Sequence, residues 1–407
     1  MPHNEAAHIA SLEQLRERYR RELFDEQLPF WDRFGIDHEL GGFCCALDYD
    51  GTRVNDEKFV WFQGRGLWVY SFLCNHLKAD PAYLEVARKT KDFLLAHAPQ
   101  PDGRWASNLS REGEPLALES DLYGRYFAIE GLYEYSHAAG DEQARDTALA
   151  MFKSLFRRET ARTDGPVTQG FWMVNVNIAR QILDREPDAE VAAIADESID
   201  AVIHKHFNPD YGLNNENLNR DFTRSTGEAT KCNLGHSIET LWMVMQEARR
   251  RGDAGLRDIC AERIQRHLNV GWDWLYGGLA MWINVDQGAY EWPLESVPGT
   301  NLAFRSVGEY NYTKSLWAVD EALVACLLIL EQGNAPWAWD FHLESQKGID
   351  EKFSMRQTAG QPTYVLFSDR RITRPPRSVR QDNYHRLRAL MMNLLTLERL
   401  LDRQSGY

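Results

Sequence analysis

The sequence has no hydrophobic run long enough to cross a bilayer; the longest, Ala322 to Leu330, falls far short. Its N-terminus lacks the apolar stretch of a secretory signal and reads directly as a helix. Cysteine is scarce: six are scattered along 407 residues, Cys44 and Cys45 side by side, with no C-x-x-C pair. That excludes a zinc ribbon and a disulfide framework, and points to a reducing, cytoplasmic compartment. Positive charge is also short. Lys and Arg number 46 against 60 Asp and Glu, a net charge of −14. Such a surface disfavours nucleic acid and anionic membrane as partners, although Arg370 to Arg380 concentrates arginines locally. No Pro/Gly/Ser-rich linker divides the chain, so a single domain over 1–407 is expected. G-x-S-x-G, G-x-G-x-x-G and the P-loop are absent, which removes the nucleophile elbow, the dinucleotide fold and the phosphate cradle. His204-Lys205-His206 lacks a third ligand at metal spacing and is assigned to an exposed helix end.

What is present is helical periodicity. Apolar residues recur at three and four, as in Ile238, Leu241, Trp242, Met245 and in Leu387, Leu390, Met391, Leu394. The pattern predicts twelve helices, near 10–29, 63–77, 81–97, 119–139, 142–157, 168–184, 188–206, 235–251, 254–273, 312–332, 336–349 and 382–403. A hairpin-like element recurs between helix pairs. Gly41-Gly42-Phe43 leads to Asp48-Tyr49-Asp50-Gly51, and Asp102-Gly103-Arg104-Trp105 to Arg111-Glu112-Gly113. Gly277-Gly278-Leu279 leads to Asn284-Val285-Asp286, and a weaker version starts at Tyr211-Gly212-Leu213. Repetition at this spacing marks an array of helix-hairpin units. Twelve helices in alternating pairs close most naturally into an all-α (α/α)6 barrel with short β-hairpins in its connections. The inner helices are then those beginning near 63, 119, 168, 235, 312 and 382. An open α-solenoid is the alternative, but the terminal helices are as apolar as the middle ones and lack a capping repeat's polar face.

In such a barrel the starts of the inner helices, with their unpaired N–H groups and partial positive charge, border the pocket. Arg65 lies in the first turn of one, where a cation calls for an anionic or oxygen-rich neighbour; pairing with a structural carboxylate would equally explain it. His236 and Glu239 share a face at the start of another. His385 and Arg388 repeat that i, i+3 arrangement at the start of the last helix. Two histidines at two inner-helix starts could flank one substrate. Trp317 is a candidate stacking surface for a sugar ring, with core packing as the plain alternative. Glu321, one turn on, sits in an apolar helix that would not bury a carboxylate unpaired; Arg65 or a histidine is the expected partner.

These residues bring out a resemblance. Gly41-Gly42-Phe43, Lys58-Phe59-Val60-Trp61-Phe62-Gln63-Gly64-Arg65, Gly235-His236-x-x-Glu239, Trp317-x-x-x-Glu321 and Tyr384-His385-x-x-Arg388 together resemble the N-acylglucosamine 2-epimerase family, which includes cellobiose 2-epimerases and mannose isomerases. The likeness runs over nearly the whole chain and implies the (α/α)6 barrel. It implies His236 and His385 as the two acid/base histidines, Arg65 as the arginine holding sugar oxygens, and Glu239 and Glu321 as carboxylates near the reacting groups. The chain departs from its relatives at Asn177, where disaccharide epimerases carry histidine, and at Leu234, where acylglucosamine epimerases usually have proline. Pro298 to Tyr310 looks like an added or reshaped loop. The implied activity is a 2-epimerisation of a small sugar, N-acylglucosamine to N-acylmannosamine, with no cofactor and no metal; family habit adds a homodimer. His236 and His385 would transfer protons at C-2 through an enediolate, His385 also protonating the ring oxygen and Arg65 stabilising the enediolate oxygen. An aldose–ketose isomerase, or a 2-epimerase of mannose, glucose or a disaccharide, is the rival enzyme reading. An inverting glycosidase or lyase would need two carboxylates across the cleavage point. A non-catalytic sugar-binding module would bind without exchange at C-2.

Overall fold

The computed structural model describes residues 2–120, 122–224, 231–284, 313–333, 335–354, 361, 365–367 and 380–405. Among them are twelve helices: α1 (Pro2–Arg21), α2 (Val60–His76), α3 (Pro81–His97), α4 (Tyr123–Ala139), α5 (Glu142–Thr160), α6 (Gln169–Leu183), α7 (Ala189–Asp200), α8 (Leu234–Arg251), α9 (Ala254–Gly271), α10 (Leu316–Gln332), α11 (Pro336–Gly348) and α12 (His385–Ser405). Every helix expected from the periodicity is there. The largest difference is at α1, which begins and ends eight residues before the expected bounds. Past α1 the chain stays helical to Gly35, through two π-helical turns. The proposed loop at Pro298 to Tyr310, residues 285 and 286 of the third hairpin and nearly all of the arginine stretch at 370–380 lie outside the described residues.

Local chemistry sets the boundaries. Asp80 Oδ1 accepts from the N–H of Ala82 ahead of Pro81 at the start of α3. Asp188 accepts from Glu190 and Val191 at α7, and Asp253 from Leu256 at α9. Gly140 and Gly252 end α4 and α8 in the left-handed region. The alternation of inner and outer helices is visible in burial. In α10 every side chain from Leu316 to Ile329 is buried, as in a helix surrounded by protein. In α3 only Ala87, Thr90, Phe93 and Leu94 are buried.

The helices group into two compact units, 1–152 with 377–407, and 153–376. In the first, a three-stranded antiparallel sheet joins β1 (Lys58–Phe59), β2 (Ala106–Leu109) and β3 (Pro115–Leu118), and β1 runs straight into α2. The first and last helices pack on each other, with the Arg386 guanidinium donating to both carboxylate oxygens of Glu22 at 2.7 Å. In the second unit, β4 (Val167–Thr168) pairs with β7 (Asn217–Leu218) and leads into α6. β8 (Lys231–Asn233) pairs with β9 (Trp282–Asn284) and leads into α8, and β10 (Thr313–Ser315) pairs with β11 (Val365–Phe367) and leads into α10. The hairpin expected at Tyr211-Gly212-Leu213 is β5 (Phe207–Asn208) with β6 (Leu213–Asn214).

The Gly-Gly elements have an anchor that periodicity does not reveal. Lys58, wholly buried, donates from Nζ to the Gly41 carbonyl at 2.7 Å and the Arg111 carbonyl at 2.9 Å, and pairs with Asp37 Oδ2 at 3.0 Å. In the second unit Lys314 donates to the Gly277 carbonyl at 2.9 Å and to Asp273 Oδ2 at 2.6 Å. Each aspartate also accepts two N–H groups of its own turn, and Gly41, Gly42, Gly277 and Gly278 all have positive φ. Burial pushes Asp37 up, but bonds from Arg111, the Leu40 N–H and Lys58 outweigh it and hold the carboxyl well below the usual range.

Helices α2 and α4 meet backbone to backbone. A Cβ on Gly64 would stand 2.3 Å from the Phe127 carbonyl carbon, and one on Gly131 would stand 2.6 Å from the Gly64 oxygen. Gly64→Ala must therefore push these packed helices away from each other, at a cost of about 1–3 kcal/mol. Thermal denaturation should show Tm several degrees lower, while Gly333→Ala, which meets nothing within 4 Å, leaves it unchanged.

Candidate active site

The first unit gathers three of the proposed site residues around one that sequence reasoning missed. Asp382 caps α12: its Oδ1 accepts from the N–H of Tyr384 at 2.8 Å and of His385 at 3.2 Å. Its Oδ2 lies 3.8 Å from both Arg65 Nη1 and His385 Nε2. Burial pushes Asp382 upward, but His385, Arg65, the Tyr384 N–H and Arg380 together hold it below its ordinary value, so it stays ionised. The anionic neighbour that Arg65 required is thus a carboxylate just ahead of a different helix. Aromatic faces complete its surroundings, the guanidinium carbon lying 4.1 Å from the ring centre of Phe127, 4.9 Å from Tyr384 and 5.3 Å from Trp61. Arg65 Nε and Trp61 Nε1 are buried and find no hydrogen-bond partner among the described residues. Both are donors suited to sugar oxygens.

His385, only 6% exposed, has the Arg388 guanidinium 3.4 Å from Nδ1. Arg388 in turn donates to the Tyr384 hydroxyl at 3.1 Å, and that hydroxyl donates to the Glu130 carboxylate at 3.0 Å. The i, i+3 spacing of His385 and Arg388 therefore marks a contact in the folded chain, extended by Glu130 of α4.

In the second unit, His236 sits in the first turn of α8 with its backbone N–H bonded to Asn233 Oδ1 at 3.1 Å. Its ring lies 5.5 Å from the Trp317 indole, tilted by 50°, and its Nδ1 lies 2.9 Å from Glu216 Oε1. Gly235 makes the room: a Cβ there would stand 2.4 Å from the Trp317 ring. Trp317 is thus both buried and in contact with a proposed acid/base group. Glu239 is buried one turn beyond His236. Glu321, fully buried, accepts from the Trp242 Nε1–H at 2.9 Å, a partner on α8 that sequence reasoning did not name. Asn177 is buried in α6.

One assignment is corrected. His204 is exposed, but His206 is wholly buried: its Nδ1 donates to the Asn215 carbonyl at 2.8 Å, in the strand segment that carries Glu216. A second buried histidine, His267, accepts from the Asn214 N–H at 3.1 Å through Nε2, while its Nδ1 donates to the Arg263 carbonyl at 2.7 Å. Burial pushes both rings down to about 4. Unfolded, each binds a proton below about 6.5; folded, only below about 4. Their stabilisation is complete above the first value and drains away as pH falls toward the second, by about 3 kcal/mol per ring. Urea midpoints measured from about pH 7.5 down to about 4.5 should decline through this window, and His206→Gln with His267→Gln should flatten the decline. An unaltered slope in the double variant would contradict this account.

Comparison with known proteins gives the family. Residues 41–387 match the family model described as N-acylglucosamine 2-epimerase (GlcNAc 2-epimerase). The chain is 29% identical over 291 residues to the N-acylglucosamine 2-epimerase of Bos taurus, covering 67% of this chain and 68% of the relative. It is 26% identical over 270 residues to the cellobiose 2-epimerase of Bacteroides fragilis, covering 60% and 68%. A sugar epimerase from a ruminal bacterium superposes with a TM-score of 0.77 at 18% identity, over 94% of this chain and 98% of the other. A D-mannose isomerase does so at 0.75 and 14%, over 95% and 97%. Those structures share the (α/α)6 fold that helix pairing predicted. With its matched span taking in both histidines, this chain belongs to the N-acylglucosamine 2-epimerase family of carbohydrate epimerases.

Proposed function

We propose that the chain is a cofactor-independent sugar 2-epimerase interconverting N-acylglucosamine and N-acylmannosamine. The family match over 41–387 carries the reading; the greater similarity to N-acylglucosamine epimerases than to cellobiose epimerases supports the substrate class. Inversion at C-2 needs the ring opened, the C-2 proton removed, and a proton returned to the opposite face of a planar enediolate. His236 takes the C-2 proton, becoming imidazolium, and releases it to solvent to restore the base. His385 gives a proton to the other face and recovers one from solvent, and it assists ring opening at the ring oxygen. The Asp382 carboxylate lies 3.8 Å from His385 Nε2, beside the reacting ring. Arg65 stabilises the oxygen on which charge develops, where a preorganised cation has its largest effect. Glu239, Glu321, Trp317 and Arg388 bind or orient the sugar. The two histidines belong to different units, so the chemistry requires 1–407 to act as one domain with both rings reaching one carbon. No metal enters these steps.

A cytoplasmic location is part of the proposal, supported by six free thiols; among the described residues no helix is long and apolar enough to cross a membrane. A homodimer is proposed on the resemblance alone.

Incubation with N-acetylglucosamine, N-acetylmannosamine, mannose and cellobiose in heavy water, followed by chromatography and NMR, tests the activity. The expected result is N-acetylhexosamine interconversion with one deuterium at C-2. A ketose from mannose would make the chain an isomerase, and binding without exchange would make it a sugar-binding module. His236→Asn and His385→Asn should each lower turnover by at least ~10²-fold; near-normal turnover in either removes that residue from the mechanism.

A further inference from the structure

The pairing of His236 with Glu216 extends this reading, on which it rests, to a residue outside every motif noted in the sequence. We propose that Glu216 is the positioning residue for His236: it accepts the Nδ1 hydrogen, fixes the ring's tautomer and face, and so leaves the Nε2 lone pair for the substrate's C-2 proton.

Three observations support it. The first is the contact itself. Nδ1 and Oε1 are 2.9 Å apart, and the carboxylate is only 6% exposed. An ionised carboxylate can only accept, so the hydrogen of the neutral ring lies on Nδ1.

The second is the rigidity of the segment that carries Glu216. The Asn214 N–H is held by His267 Nε2 at 3.1 Å and the Asn215 N–H by the His206 carbonyl at 2.7 Å. The Asn215 carbonyl is held by His206 Nδ1 at 2.8 Å. The Glu216 N–H donates to the Lys231 carbonyl at 3.1 Å, and its carbonyl accepts from the Gln169 N–H at 2.8 Å. Lys231 stands on the strand leading into α8 and Gln169 opens α6, so the carboxylate's backbone is tied to the starts of two inner helices. Two buried histidines otherwise without a role are the clamps.

The third is the confinement of the ring, between the Asn233 cap that fixes the start of α8 and the Trp317 indole 5.5 Å away. Together these define a base whose orientation is set before substrate arrives, which is where positioning contributes most.

The tautomer is read without any variant. In protein labelled with ¹⁵N-histidine, long-range ¹H–¹⁵N spectra should show neutral His236 protonated on Nδ1; a proton on Nε2 overturns the proposal. Kinetics supply the second measurement, on the panel sugar that exchanges its C-2 hydrogen. Glu216→Gln offers an amide N–H to Nδ1 and turns the ring hydrogen toward Nε2. It should lower kcat by ~10²–10⁴-fold with KM within about threefold. Glu216→Asp should recover at least about tenfold of that loss. A folded Glu216→Gln protein with kcat within about threefold of wild type overturns the inference, provided His236→Asn is inactive. Normal turnover in His236→Asn instead overturns the proposed mechanism, and with it any catalytic purpose for Glu216.

Discussion

An ammonium group withdrawn from water is tolerated only where neighbouring oxygens replace its hydration, and Lys58 and Lys314 meet that demand in the same way. Each stands on the short strand before an inner helix and reaches a carboxylate and a glycine carbonyl in the turn behind it. Those bonds lock the Gly-Gly turn to the helix start. That fixes where the helix start points, and those starts carry Arg65, in the second turn of α2, and Trp317, in the first turn of α10. Losing one partner would leave a buried charge uncompensated, so turn, strand and helix entry stand or fall together. In each unit the hairpin is therefore the mounting for a helix start.

The two proposed acid/base histidines differ in their charged neighbours. Each of the two histidines has a different kind of neighbour at Nδ1: His236 faces a carboxylate and His385 a guanidinium. The two rings therefore stand in unlike electrostatic surroundings although both are at helix starts. Asp382 adds a carboxylate near His385 Nε2 and Arg65 at once.

Much of this was legible in the sequence. Twelve helices, their pairing, the turn glycines and the i, i+3 pairs at 236–239 and 385–388 follow from periodicities and local chemistry that act over a few residues. Asp382 could have been found from the same information, since an aspartate two residues ahead of Tyr384 is a helix cap. Glu216 could not: it is twenty residues from His236, in an Asn-rich stretch with no helical or strand period to give its direction. The buried lysines carried a faint signal, the recurrence of Gly-Gly followed by a Lys before an inner helix. The burial of His206 had none, because a histidine at a helix end looks solvated until the strand that covers it is known.

The pairing of Glu22 with Arg386 also has a consequence in time. Glu22 pairs with a residue synthesised 364 positions later. At cellular synthesis rates of about 5–20 residues per second that interval is roughly 20–70 s. Throughout it the apolar face of α1 that receives α12 has no native cover, whereas every residue of the 153–376 unit has been synthesised before His385 is added. During that interval the nascent chain carries an uncovered apolar helix face, the kind of surface that holding chaperones recognise.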